Sequence, residues 1–178
     1  MLELLMFASA TLGTLGFLLG REGATQMDAC LRRDLGEQIY LCTARRVIVP
    51  NDPVAETHEF FTAHERTHLR QHHVLWLILL NSCIGGCLAC AIAYGGDWWY
   101  AYLGGWVVHT VTRIVQELLA DRGAALSVPV YIPSWERDIR RICGASYRLN
   151  ASHWAWFYGY PPLGWRAKWI GYWASRGA

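Results

Sequence analysis

The chain has 178 residues, enough for one domain of ordinary size. Hydrophobic residues make up 53% and charged residues 17%, where soluble domains average about 25% charged. This excludes a disordered chain, a coiled coil and a collagen-like repeat, and a net charge of +2 gives no electrostatic footprint for a nucleic acid.

In chain order, three stretches are long enough for a bilayer crossing, which takes about 20 predominantly apolar residues. The first, 4–20, carries no charge and is read as an uncleaved anchor, because no basic start and no A-x-A site mark a signal peptide. The second, 74–94, is also uncharged. The third, 98–116, contains His109 and Arg113. Seven of the 16 Lys and Arg lie between Arg21 and Arg70, and eight lie from Arg122 onward. The positive-inside rule therefore predicts an outside N-terminus, with both basic regions on the cytoplasmic side. Cys83, Cys87 and Cys90 share one face of the second span and read as a small-residue packing stripe.

Between the first and second spans, residues 38–49 contain two short β-prone runs and predict a small hairpin or edge strand. Such an edge suits substrate held as an added strand. Pro50 to Pro53 break the run, and a helix is expected from about Val54. Within it, residues 64–68 read His-Glu-Arg-Thr-His. Four residues of helix return to the same face, so His64 and His68 can ligate one zinc ion, and Glu65 is placed to act as general base. By composition, an HExxH pattern is expected by chance about 0.01 times in such a chain.

A catalytic zinc needs a third protein ligand and an open position. A metzincin is excluded, because Val74 stands where its third His belongs and Gln71 where its Gly belongs. The charged surroundings of the motif place it at the membrane surface and not inside a span. A tight hairpin of the second and third spans, turning at Gly95-Gly96-Asp97, brings Glu117 back to the same face as the motif and makes it the expected third ligand. His109, Arg113 and Glu117 share a helical face. This predicts that Arg113 steadies Glu117 or a developing oxyanion, or else snorkels to the interface.

HERTHLRQHH, a hydrophobic hairpin and QELLADRGAA, in that order, resemble the BlaR/MecR-type membrane zinc metalloproteases. At a further remove they resemble the HtpX and CAAX-prenyl-protease type. The resemblance covers about residues 38–125. It implies His64, His68 and Glu117 as zinc ligands, Glu65 as general base, and Asp121 as the carboxylate that holds a ligand His by its other ring nitrogen. It also implies a protein or peptide substrate and a bacterial cytoplasmic membrane. No Asp follows the second His within Gln71-His72-His73, and Ile132-Pro133 and Asp138-Ile139 stand where the HtpX-type tail is aligned to carry His-Pro and Arg-Ile. Tyr131, His109 and Arg140 are therefore the candidate oxyanion donors.

Residues 135–147 predict a cytoplasmic helix with Arg137, Arg140 and Arg141 solvated. In the tail, Trp165, Trp169 and Trp173 at a spacing of four, flanked by Arg166 and Lys168, read as an interfacial segment in the headgroup region.

The expected fold is thus a mainly α membrane protein. Three transmembrane helices carry a cytoplasm-facing, zincin-like site and an interfacial aromatic C-terminal segment. It divides into an anchor (1–20), a metallopeptidase core (21–131) and a basic, aromatic tail (132–178). The expected partners are substrate and bilayer, with a homo-oligomer or a membrane complex also open. Two other classes stay open. One is a proteolytically silent regulator or assembly subunit that keeps the zinc. The other is a diiron oxidoreductase, for which His68, His72 and His73 form a single histidine box.

Overall fold

The computed structural model describes residues 1–144 and 147–177 and is mainly helical. Helix α1 (Leu2–Asp34) precedes a hairpin of β1 (Leu41–Cys42) and β2 (Val47–Ile48). Then come α2 (His58–Arg70), α3 (His73–Tyr94), α4 (Trp98–Ser127), α5 (Ile132–Cys143) and α6 (Tyr147–Ala151). A 3-10 turn (His153–Tyr158) and α7 (Leu163–Gly177) complete the chain.

Helices α1 and α3 are long and apolar enough, by length and composition, to cross a membrane. α1 is longer than its uncharged stretch. Its 33 residues span about 50 Å at 1.5 Å per residue, against a hydrocarbon core of about 30 Å. No Pro or Gly breaks the helix after Gly23 until the chain reaches Gly36, which has φ 83°. α1 packs along α3 and α3 along α4. The α1–α3 approach is close because a Cβ at Gly85 would lie 2.7 Å from Thr14 Oγ1, and one at Gly86 would strike Thr11. The α3–α4 turn uses Gly95 at φ 67° and Gly96 at φ 57°, backbone that side chains other than Gly rarely adopt.

The remaining elements gather at the other end of this hairpin, around a second core. Phe60, Phe61, Ala124, Trp135, Ile139 and Ile170 are buried together there, drawn from α2, α4, α5 and α7. Trp135 is wholly enclosed, a burial whose truncation costs about 3–5 kcal/mol. α5 is amphipathic by sequence, with Trp135, Asp138 and Ile139 inward and Arg137, Arg140 and Arg141 outward.

The expected hairpin at 38–49 is present, with Leu41 paired to Ile48 and Cys42 to Val47. The motif helix begins at His58, four residues later than expected. Its N-terminus is fixed from a distance: the buried Asp138 carboxylate accepts the Thr57 N–H and Oγ1–H, each at 3.0 Å. α2 and α3 are separate helices, because His72 takes a left-handed conformation at φ 49° and redirects the chain.

Candidate metal centre

Helix α2 presents His64 and His68 one turn apart on its buried face. α4 lies against that face and contributes Glu117 and Asp121, also buried. The approach of the two helices depends on Gly123, where a Cβ would sit 2.9 Å from Thr67 Oγ1.

The two histidines face each other at 3.0 Å between their Nε2 atoms. Glu117 Oε2 is 3.5 Å from His64 Nε2, and Glu117 Oε1 is 3.5 Å from His68 Nε2. Nitrogen and oxygen ligands about 2.0–2.1 Å from a tetrahedral ion sit about 3.3 Å apart, and the three observed separations bracket that value. The buried His-His-Glu group can therefore hold a metal ion.

Around it lies a second ring of contacts. Asp121 Oδ1 is 2.9 Å from His64 Nδ1, although the pair is not aligned as a hydrogen bond, since His64 Nδ1 has no partner by angle. His68 Nδ1 is buried with no hydrogen-bond partner among the described residues. Instead the His73 ring covers His68 at 4.4 Å between centroids, held by its Nδ1 contact of 2.5 Å to Gln116 Oε1. The turn at His72 makes this overlap possible. His72 itself is exposed.

The largest addition to the predicted site is Arg166. It was expected to flank an aromatic interfacial face, but it is buried, and it donates from Nε and Nη2 to both oxygens of Asp121 at 2.7 Å. Its Nη2 also reaches Glu117 Oε2 at 3.6 Å. α7 packs on α4, and its Trp169 Nε1–H donates to the Leu118 carbonyl at 2.7 Å.

These charges set one another's protonation. Burial lowers the His64 imidazole, but Asp121 and Glu117 outweigh it and raise it to about 10. Burial works against the charge of Glu117 too. The hydrogen-bonding imidazoles of His64 and His68 and the Arg166 guanidinium nevertheless hold its carboxyl well below the usual carboxylate range. Asp121 is likewise lowered, because Arg166 and His64 outweigh its desolvation. The cluster is built to stabilise positive charge at its centre.

A cavity of about 360 Å3 opens onto this centre. Glu65, partly exposed, lies on its wall beside His64, and so do Leu41 and Cys42 of β1. Tyr160 and Leu163 close it from the C-terminal side. The proposed oxyanion donors are not brought here. Tyr131 is 70% exposed outside the cavity, because it precedes the first turn of α5. His109 lies farther up α4, where its Nε2 meets Asn81 at 3.3 Å and its ring meets Trp106. Arg140 stacks on Tyr147 at the surface. Arg113 does not reach Glu117 as an ion-pair partner; its guanidinium lies 4.3 Å over the Tyr160 ring. Ile132-Pro133 and Asp138-Ile139 do not supply a His-Pro and Arg pair to the site. Ile139, Tyr160, Pro161 and Arg166 line the cavity. Comparison with protein-family models, with curated proteins and with solved structures finds no match, so the functional reading rests on this geometry.

Proposed function

We propose that the chain is an integral membrane zinc metallopeptidase of the BlaR/MecR-like kind, hydrolysing peptide bonds at the cytoplasmic membrane face. The observation that carries the reading is the buried His64–His68–Glu117 group with Glu65 on the wall of the cavity beside it. α4 is read as a third crossing because Leu103, Trp106, Val107, Val108 and Val111 form an exposed apolar face on its first half. The basic residues clustered at the site end of the bundle support a cytoplasmic site.

Two imidazoles, one carboxylate and an open side are the donor set of catalytic zinc, and zinc held there supplies Lewis acidity and eases the deprotonation of water. Glu65 takes the proton of the attacking water and delivers it to the leaving amine. Asp121 sets the orientation of His64, and Arg166 keeps both buried carboxylates ionised. Among the described residues β1 pairs with β2 on one side only, so its other edge is available to align an extended substrate along the cavity.

Metal analysis of the purified protein in detergent, together with hydrolysis of unfolded casein, tests the reading. The parent is expected to bind one zinc per chain. Glu65→Gln is expected to keep the zinc and lose about 10²–10⁴-fold in rate, and Glu117→Ala to lose the zinc. Undiminished zinc in Glu117→Ala, or iron in place of zinc in the parent, would overturn it.

A further inference from the structure

A second cavity, of about 280 Å3, adjoins the first and shares Leu41, Cys42, His73 and Tyr160 with it. It lies on the membrane side of the site. Leu18 of α1 and Leu77 and Ile78 of α3 form its apolar wall, and Arg21, Glu22 and Asn81 its polar one. Its origin is in the helix packing. α1 and α4 meet at their far ends, where Phe7 stacks on Trp98 at 6.0 Å. In the middle α1 is drawn onto α3 through Gly85 and Gly86. Toward the site α1 and α4 are not closely packed on each other, and the gap between them is this cavity.

Arg113 stands on its wall. Its side chain is clamped between Tyr160 and Gly159, where a Cβ would lie 2.8 Å from Arg113 Cβ. Its Nε–H is buried with no hydrogen-bond partner among the described residues. A buried donor left unpaired is destabilising, and a backbone carbonyl that reached it would satisfy it. Beyond the residues it shares with the metal cavity, this space thus runs past an unpaired donor into a wedge between α1 and α4 that is floored by α3, and α1 and α3 are apolar enough to cross a bilayer.

We propose that this wedge is a lateral entry for substrate, and that the substrate class is a polypeptide anchored in the same bilayer by an apolar segment and cut close to that segment's cytoplasmic end. This rests on the peptidase reading above and adds to it where the substrate comes from. The chain next to the scissile bond, extended along β1, continues past Leu18 and Leu77 through the gap between α1 and α4 into the membrane. Arg113 takes one of its carbonyls at the threshold.

Two reporters test this with the zinc-loaded protein in phosphatidylethanolamine–phosphatidylglycerol vesicles. One is a flexible polar sequence joined to a single 20-residue Leu/Ala span, and the other is the same sequence without the span. The anchored reporter is expected to be cut at least tenfold faster, within a few residues of the span. Leu18→Trp and Leu77→Trp, which fill the wedge, are expected to collapse the anchored-to-soluble ratio towards one, with zinc content measured to confirm an intact site. As a second readout, a photoreactive residue beside the cleavage point of the anchored reporter, trapped on Glu65→Gln, is expected to crosslink to α1 or α3 near Leu18 and Leu77. Equal cutting of both reporters by the parent, an undiminished ratio in both zinc-loaded Trp variants, or crosslinks confined to α5 and α7 would each overturn the lateral entry while leaving the peptidase standing. Cutting of neither reporter by zinc-loaded protein would overturn the peptidase reading and this one with it.

Discussion

Replacing Arg166 with Met removes the buried cation that serves two buried carboxylates and keeps an unbranched apolar stem as far as the position of Nε. At an effective dielectric constant near 20, a unit charge pair at 3.6 Å, the distance of Nη2 from Glu117, has a gross attraction of about 4–5 kcal/mol. The bidentate pair with Asp121 at 2.7 Å is closer still. Desolvation offsets much of this in the intact protein, but loss of one partner strands the other, and that costs about 3–5 kcal/mol. The cost should depend on metal. Without Arg166, Glu117 and Asp121 face only the imidazoles, so a divalent cation at the His64–His68–Glu117 group offsets part of the missing charge. The expected result is a loss of about 3–5 kcal/mol in chelator and a smaller loss with saturating zinc, measured by denaturant unfolding in detergent. Arg166→Lys is expected to restore only part, because an ammonium cannot reproduce the two-pronged contact. An equal loss with and without zinc, or a loss below about 0.5 kcal/mol in chelator, would refute the assignment of Arg166 as the counter-charge of the centre.

Asp138→Ala removes the acceptor of both Thr57 hydrogen bonds and should cost about 2–4 kcal/mol, whereas Thr57→Val, which keeps the backbone N–H, should cost about 1 kcal/mol; thermal unfolding in detergent ranks the two. His64 is raised from 6.5 to about 10 in the folded chain. In metal-free protein its contribution is therefore fully present below about pH 6.5 and is lost as pH rises through about 10. Stability in chelator should fall across that window and that fall should be absent with zinc, because His64 ligates only when deprotonated. Zinc binding at pH 7 should accordingly release about one proton, read from the buffer dependence of the calorimetric heat. Asp121 is shifted the other way, so its contribution is present above about pH 3.9 and disappears only as pH falls below that value.

The parts of the site legible in the sequence are those fixed by local geometry. His64 and His68 share a face because a helix repeats every 3.6 residues. The return of Glu117 beside them needs only a helical hairpin with a glycine turn. Arg166 was not legible because its partner is 45 residues away, and an Arg among tryptophans reads equally well as an interfacial residue. Asp138 is 81 residues from Thr57, so neither residue carries a local sign of the other. The break at His72 was hidden for a different reason: residues 69–74 contain no Gly or Pro to mark it, and the left-handed turn shows only in the overlap of the His73 ring with His68. The oxyanion candidates lie away from the centre because Tyr131 and Arg140 fall on the exposed side of α5 and His109 lies on α4 eight residues before Glu117, while α7 brings Arg166 inward.

The length of α1 ties the site to its surroundings. Its lower turns reach well past the uncharged stretch and hold the β1–β2 hairpin directly, through the Ala44 N–H to Glu22 at 3.1 Å and the Arg46 guanidinium to Cys30 Sγ at 3.1 Å. In a bilayer, the tilt of α1 follows the match between its apolar length and the local thickness. A rigid helix about 50 Å long turns a few degrees of tilt into ångströms of movement at its far end. Substrate alignment on β1 is then a property of the bilayer as well as of the protein, and comparison of rates in vesicles of short and long acyl chains measures that dependence.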